Sequence, residues 1–266
     1  MKTLKSFIIS LTAFFLLINN LQAQSDTTKW LDNNQIKFSL TTAVIEDIDI
    51  DNYSLNCQLL NSYPMPGIEA SASYYLHLNK GWGLNFGIGG GIAFYNLHYE
   101  IELPEDTYSP YIDTSGTATT KFNKSDITQK YLTTPISVQK SFRFANNKNT
   151  FHIIEAGARL NFLFKNNLEI EETYPISETE NSTLFKADLW NSNKIKGSGY
   201  LKYGIQSILK NQNTFQCNIV LYYSPAEPNF GSYEFTHIDN SYAFLSQKIN
   251  YIGLEFIYGL TLSKNK

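Results

Sequence analysis

Cysteine is scarce in this chain, whose 266 residues contain only Cys57 and Cys217. Two cysteines exclude the disulfide-dense scaffold that stabilises many small secreted proteins. The four histidines show no metal-ligand spacing such as His-x3-His. The sequence therefore predicts no metal site and no cofactor.

Long apolar runs are also rare, and the longest lies at the N-terminus. Lys2 and Lys5 precede a mostly apolar run of twelve residues, Phe7 to Ile18, and Ala23 follows it. That run is too short to cross a bilayer as a helix, and the order of charge, apolar run and small residue is typical of a signal peptide. We therefore predict a signal peptide over residues 1–23, with no lipoprotein anchor because no cysteine follows it.

A strong excess of charge of one sign is missing as well, since the formal net charge is -3. This balance predicts neither nucleic-acid binding nor a polybasic membrane anchor. The mean hydropathy of -0.26 excludes a bundle of membrane helices. It does not exclude a membrane β-barrel, which needs apolar residues at only every second position.

Alternation of apolar and polar residues is the dominant pattern of the chain. Near the C-terminus, apolar residues occupy every even position from Ile252 to Leu262, whereas Gly253, Glu255 and Gly259 lie on the other face. Such a strand fits lipid on one side and a polar interior on the other. Eight strands are predicted in this way, near 36–45, 67–78, 82–94, 128–142, 154–164, 201–209, 215–223 and 251–262.

The connections between these strands alternate in length, with long segments near 46–66, 102–127, 166–197 and 225–249 and short polar turns elsewhere. Short periplasmic turns and long extracellular loops are typical of outer-membrane barrels. The long segments hold 18 acids and 6 lysines, so one end of the molecule is predicted to be acidic. We predict a closed antiparallel transmembrane β-barrel of eight strands over residues 35–266, preceded by a short periplasmic segment, 24–34. Ten strands and a soluble β-sandwich are the alternatives.

Several segments resemble the PorT-like outer-membrane β-barrel family of Bacteroidota. They are Gln24 after the signal peptide, the run from Tyr131 to Ile136 (Tyr-Leu-Thr-Thr-Pro-Ile) and the alternating last strand. The resemblance implies a small closed barrel of unassigned role with no catalytic residue, in a family whose relatives include components of protein secretion and gliding. The last strand also resembles the signal read by the barrel-assembly machinery, through Tyr251, Gly253, Phe256 and Tyr258.

Five charged residues fall on inward faces of the predicted strands. They are Glu69, Glu155, Arg159, Lys202 and Glu255. The interior of an eight-stranded barrel has room only for packed side chains, so these charges are expected to pair. A narrow path for ions or protons is the alternative.

The acidic run from Glu46 to Asn52 superficially resembles a calcium loop. It lacks the glycine and the final glutamate that such a loop requires, because Asn52 and Gln58 stand there. We interpret it as the first strand projecting above the membrane. Divalent cations that bridge its acids to lipopolysaccharide are a second possibility.

The long segments are the predicted functional part of a non-enzymatic protein that makes contacts at the cell surface. The expected partners are outer-membrane lipid, lipopolysaccharide, the barrel-assembly machinery and a protein bound through these segments. An accessory subunit of a secretion or surface-export complex is one alternative, and a lipid-modifying enzyme using His98 or His237 is another. The aromatic residues expected either to anchor a partner or to pack the loops together are Tyr63, Tyr108, Tyr111, Tyr174, Trp190, Phe230, Tyr233 and Phe235.

Overall fold

The computed structural model describes residues 33–51, 60–102, 119–143, 149–164, 167–177, 179–191, 195–225, 229–238, 241–247 and 249–262. The predicted signal peptide, most of the segment 24–34, and Cys57, Tyr108 and Tyr111 lie outside these residues. Among the described residues there is no helix of the length and apolarity needed to cross a membrane.

The described residues form fourteen strands in two sheets. The strands are β1 (Gln35–Ile45), β2 (Asp49–Asp51), β3 (Leu60–Asn61), β4 (Met65–Asn79), β5 (Trp82–Glu102), β6 (Thr119–Arg143), β7 (Thr150–Leu163), β8 (Asn167–Pro175), β9 (Asn181–Asn191), β10 (Ile195–Ile208), β11 (Thr214–Tyr223), β12 (Asn229–Phe235), β13 (Ala243–Gln247) and β14 (Tyr251–Thr261).

Eight of these strands close into a barrel, which confirms the predicted fold. They pair antiparallel in the order β1, β4, β5, β6, β7, β10, β11 and β14, and β14 returns to β1. The closing pair sets Ile36 opposite Leu260 and Phe38 opposite Tyr258. All eight lie where alternation places them. β6 and β10 begin several residues earlier than predicted, and β5 continues to Glu102.

The barrel buries polar side chains and exposes apolar ones. Its buried inward-facing residues include Gln35, Lys37, Thr41, Asn85, Thr133, Gln139, Glu155, Arg159, Asn161, Gln206, Gln216, Asn218 and Glu255. Its exposed outward-facing residues include Ile36, Phe38, Leu40, Ile68, Phe86, Ile88, Leu132, Ile136, Leu160, Ile205, Phe215, Ile219, Leu254 and Phe256. Apolar surface continuous around a barrel requires lipid around it, so the barrel spans a membrane.

Tight turns join the strands at one end of the barrel. Lys80 and Gly81, between β4 and β5, both have positive φ, 48° and 76°. Two adjacent residues of positive φ form the hairpin turn whose twist matches that of the flanking strands. A Cβ at Gly81 would lie 2.7 Å from the Ser141 carbonyl oxygen, so this position requires glycine. Following the orientation of outer-membrane barrels, this end is periplasmic.

The opposite end carries a second sheet, which the sequence analysis did not predict. Its five strands pair in the order β2, β13, β12, β9 and β8, and we call them the extracellular sheet. They come from three segments predicted as long loops, 46–66, 166–197 and 225–249. The error has a physical reason: these strands are short and strongly charged on one face, a composition that also marks solvated loops.

The structure of the acidic run after β1 also differs from the predicted one. Residues 49–51 do not extend β1 above the membrane but form β2, which pairs with β13 and sets Ile50 opposite Leu245. Ile48 is buried and Ile50 packs against the core of the extracellular sheet. The alternation is therefore that of a strand, but of a strand in the second sheet.

One apolar cluster joins the extracellular sheet to the barrel. Tyr99, on the part of β5 that projects above the barrel, contacts Phe185 and Phe235 with ring centroids 5.1 Å and 5.0 Å away. Asn96 accepts a hydrogen bond from the backbone of Tyr63, 2.8 Å away, and so fixes the segment before β4 to β5. The sheet is therefore a packed layer that shares one apolar core with the adjoining end of the barrel.

Candidate functional site: the lumen and the extracellular sheet

The first of two charge clusters in the lumen is centred on Arg159 of β7. Its Nη1 lies 2.6 Å from Oε2 of Glu69, on β4, and the Tyr131 hydroxyl donates to the same oxygen at 2.9 Å. The guanidinium carbon lies 3.7 Å from the centroid of the Tyr222 ring, which stacks on Tyr251 at 4.7 Å. Arg159 therefore has both a paired carboxylate and an aromatic surface.

The second cluster is centred on Lys202 of β10. Its ammonium lies 2.9 Å from Oε1 of Glu255 and 3.5 Å from Oε1 of Glu155. Ser137 donates to Glu155 at 2.7 Å, and Asn218 donates to Glu255 at 2.8 Å. One lysine therefore forms ion pairs with two buried carboxylates, each of which accepts a further hydrogen bond.

Lys37 on β1 is a sixth buried charge, which the sequence analysis did not include. Its ammonium donates to Oε1 of Gln139 at 2.6 Å and lies 4.4 Å from the centroid of the Tyr75 ring. The alternation of β1 would have been enough to predict its inward position, because Lys37 lies between the outward-facing Ile36 and Phe38. With Lys37 counted, the two clusters and their surroundings hold three acids and three bases.

The side chains of the two clusters fill the lumen. The cavity that remains between them is about 40 Å³ in volume and is lined by Lys37, Glu69, Glu155, Arg159, Lys202 and Glu255, among others. That volume holds only a few water molecules. Crowding is severe nearby: a Cβ at Gly91 would lie 2.6 Å from the ring of Tyr131.

The predicted assembly signal is divided between the two faces of β14. Tyr251 stacks on Tyr222 within the barrel, and a Cβ at the buried Gly253 would lie 2.7 Å from the Thr42 carbonyl oxygen. Phe256 and Tyr258 face outward and are exposed. Recognition by the assembly machinery stays a prediction.

The two histidines considered for lipid chemistry both lie against tyrosines. His237 Nε2 is 3.0 Å from the Tyr174 hydroxyl, and the His98 ring is 6.2 Å from that of Tyr63. Within the described ranges, no three His, Cys, Asp or Glu side chains are placed to hold a metal ion.

The aromatic residues of the predicted loops fall into two groups. Tyr174, Tyr233 and Phe235 are buried in the core beneath the extracellular sheet. Trp190 and Tyr63 are exposed, by 40% and 54%. For the buried three, packing within the loops is therefore the role that the structure shows. The side chain of Phe230 lies outside the described residues.

The outer face of the extracellular sheet carries charge in ordered rows. Glu169 on β8 lies directly opposite Asp188 on β9, and Asp188 lies opposite Ser232 on β12. In the next row Lys186 stands between Glu171 and Glu234. Glu169, Glu171, Lys186, Asp188 and Glu234 are all exposed.

Three exposed aromatic side chains accompany these charges. Trp190 is two residues from Asp188 on the same face of β9. Tyr242 and Phe244, at β13, are 46% and 44% exposed, and their rings are perpendicular, with centroids 5.2 Å apart. The outer face is therefore acidic and aromatic, on strands fixed by the core beneath them.

No established protein family and no curated protein match this sequence. Among solved structures, the chain is similar to the outer membrane protein OprG from Pseudomonas aeruginosa, at 9% identity over 86% of this chain and 97% of that one, with a TM-score of 0.45. It is also similar to Ail, the attachment invasion locus protein of Yersinia pestis, at 13% identity over 85% of this chain and 97% of that one, with a TM-score of 0.26. Likeness at this level carries no information about activity.

The geometry of the barrel itself determines its location. Eight antiparallel strands close on themselves, the exposed belt is apolar, and the interior is polar. A closed barrel satisfies every backbone hydrogen bond in lipid, and barrels of this kind belong to outer membranes. The chain is an eight-stranded β-barrel of the bacterial outer membrane.

Proposed function

We propose that this protein is a non-enzymatic outer-membrane barrel whose extracellular sheet makes contacts at the cell surface. The main support for the proposal is the contrast between the barrel lumen and the outer face of the extracellular sheet. The lumen charges are paired with one another, whereas Trp190, Tyr242 and Phe244 are displayed outward. Ordered, exposed aromatic residues are typical anchors of protein interfaces.

The filled lumen supports a structural role for the barrel. Charges that pair at 2.6–3.5 Å in a cavity of about 40 Å³ neutralise each other and leave little room for a solute. The surroundings of His98 and His237 favour a non-enzymatic role as well. Among the described residues, His98 lies against the Tyr63 ring and His237 lies within hydrogen-bond distance of the Tyr174 hydroxyl, whereas a serine and a carboxylate would be needed to activate a nucleophile.

An accessory subunit of a secretion or surface-export complex is the second candidate. It rests on the resemblance to the PorT-like family, which we retain as a proposal. The run from Tyr131 to Ile136 that carries this resemblance lies on β6, and Tyr131 holds Glu69 in the Arg159 cluster. In that case the partner would be another protein of the cell envelope, bound at the same extracellular sheet.

Surface substitutions in native outer membranes test the proposal. The double variant Trp190→Ala/Tyr242→Ala removes aromatic rings from the outer face without entering the core. Tyr63→Ala removes a ring of comparable exposure outside the extracellular sheet and is the control. After chemical cross-linking, a specific partner should be recovered with the wild type and the control, and be depleted with the double variant. Equal recovery with all three proteins would contradict the proposal.

A further inference from the structure

The outer face of the extracellular sheet contains a pair of like charges at a position where opposite charges would stabilise it. Glu169 and Asp188 are direct cross-strand neighbours on β8 and β9, and both are exposed. Like charges directly opposite each other destabilise an antiparallel pair. The nearest cation in the register, Lys186, forms its ion pair with Glu171, 3.7 Å away. The fold therefore retains an electrostatic cost at this pair.

Building on the proposed function, we propose that this face binds a basic polypeptide segment, with Glu169 and Asp188 as the centre of the contact. The charged side chains described on this face are four acids and one lysine: Glu169, Glu171, Asp188, Glu234 and Lys186. Arginine or lysine from a partner would relieve the repulsion at the acid pair. Charge complementarity of this kind directs a partner to one face and sets its orientation.

The aromatic residues narrow the chemistry of the partner. Trp190 lies next to the acid pair along β9, and Phe244 lies opposite Ser232 in the row that contains Asp188. An aromatic ring beside carboxylates suits a guanidinium. Its plane can stack on the ring while its N–H groups donate hydrogen bonds to the acids. The segment is therefore expected to be richer in arginine than in lysine.

Lipopolysaccharide is the competing occupant, and the geometry disfavours it. Its phosphates carry the same sign of charge as the face, so a divalent cation would have to bridge them. Among the residues that the structure describes, no three carboxylate, thiol or imidazole groups are placed to hold such an ion. A basic polypeptide needs no bridging metal.

Peptide binding to the full-length protein tests the inference. The probe is a fluorescein-labelled peptide of alternating arginine and serine, with a glutamate–serine peptide as its counterpart. The protein is held in nanodiscs of zwitterionic lipid, without divalent cations, and binding is followed by fluorescence anisotropy. The test variant is Glu169→Gln/Asp188→Asn. The matched control, Glu100→Gln/Glu180→Gln, removes the same charge from exposed positions outside the acid pair.

The wild type and the control should bind the arginine peptide, more weakly as salt rises, and not bind the glutamate peptide. The test variant should lose about threefold to tenfold in affinity. It should also melt at the same or a higher temperature, because a repulsion has been removed. This second readout separates lost binding from lost folding.

Two results would overturn the inference: unchanged affinity of the test variant for the arginine peptide, or failure of the wild type to bind that peptide in this buffer without divalent cations. Failure here is distinguishable from failure of the proposed function. Suppose that a protein partner is lost with Trp190→Ala/Tyr242→Ala but still binds Glu169→Gln/Asp188→Asn. The proposed function would then stand, and only the assignment of a basic segment as the ligand would be wrong.

Discussion

Lys202 shows how single residues hold this barrel together. It is the cation within ion-pair distance of both Glu155 and Glu255, at 3.5 Å and 2.9 Å. Buried carboxylates without a counter-charge are strongly unfavourable, so both depend on one ammonium. Arg159 and Glu69 form the corresponding pair in the other cluster.

Lys202→Gln is expected to destabilise the folded barrel by about 3–5 kcal/mol, because two carboxylates lose their partner. The double variant Lys202→Gln/Glu255→Gln should recover part of that loss, since one of the two charges is gone. Urea unfolding in lipid vesicles, followed by tryptophan fluorescence, measures both. A double variant less stable than Lys202→Gln would show that Glu255 is stabilised by something other than Lys202.

The β5–β6 hairpin is the element that connects the two halves of the molecule. β5 contributes Asn85 to the lumen and Tyr99 to the core beneath the extracellular sheet, within one continuous strand. A bulge between Tyr95 and Leu97 marks the transition in its pairing with β6. The extracellular sheet thus packs on a strand that is anchored in the membrane.

Phe185→Ala is expected to loosen the extracellular sheet while the barrel stays folded. Phe185 is fully buried and contacts Tyr99, Tyr233 and Phe235, and truncation of a buried phenylalanine costs about 3–5 kcal/mol. Limited proteolysis should cut the variant within residues 167–191 or 229–247, which contain strands of the extracellular sheet, and the barrel should still resist SDS. Phe244→Ala, on the exposed face, is the control and should be cut no faster than the wild type. Simultaneous loss of sheet and barrel would mean that they unfold as one unit.

The strands of the barrel were predictable from sequence, whereas those of the extracellular sheet were not. In β14, five alternate apolar residues from Ile252 to Leu260 face lipid and give a clear signal. In β12, Tyr233 and Phe235 alternate with Ser232 and Glu234 over seven residues, too short a run to separate a strand from a loop. The inward position of five lumen charges was predictable from the alternation along the strands. The pairing of Glu169 with Asp188 was not predictable, because it depends on which segments pair and in what register.

The whole molecule is a membrane-spanning barrel with a packed sheet above it. Because its eight strands close, the barrel presents no free edge in the bilayer. The apolar belt outside and the charge-paired lumen inside make the closed form stable only in lipid or detergent. These properties apply to the molecule rather than to any one strand.

Closure predicts that the protein is heat-modifiable. Unboiled samples should migrate differently from boiled samples on SDS gels, since the closed barrel resists detergent until it is heated. The protein should also fractionate with the outer membrane. Recovery of a folded, soluble periplasmic species would contradict the barrel.

Site-specific photo-cross-linking in intact cells tests most directly whether the extracellular sheet, and not the lumen, is the working part. A photoreactive phenylalanine is placed at Trp190 on the outer face, at Gln216 in the lumen or at Phe215 in the lipid belt. Gln216 is buried and Phe215 exposed on adjacent positions of β11, so these two differ only in the face they occupy. We expect a discrete protein adduct from position 190 and none from 215 or 216. An adduct from position 216 without one from position 190 would show that a ligand passes through the lumen, and would contradict this expectation.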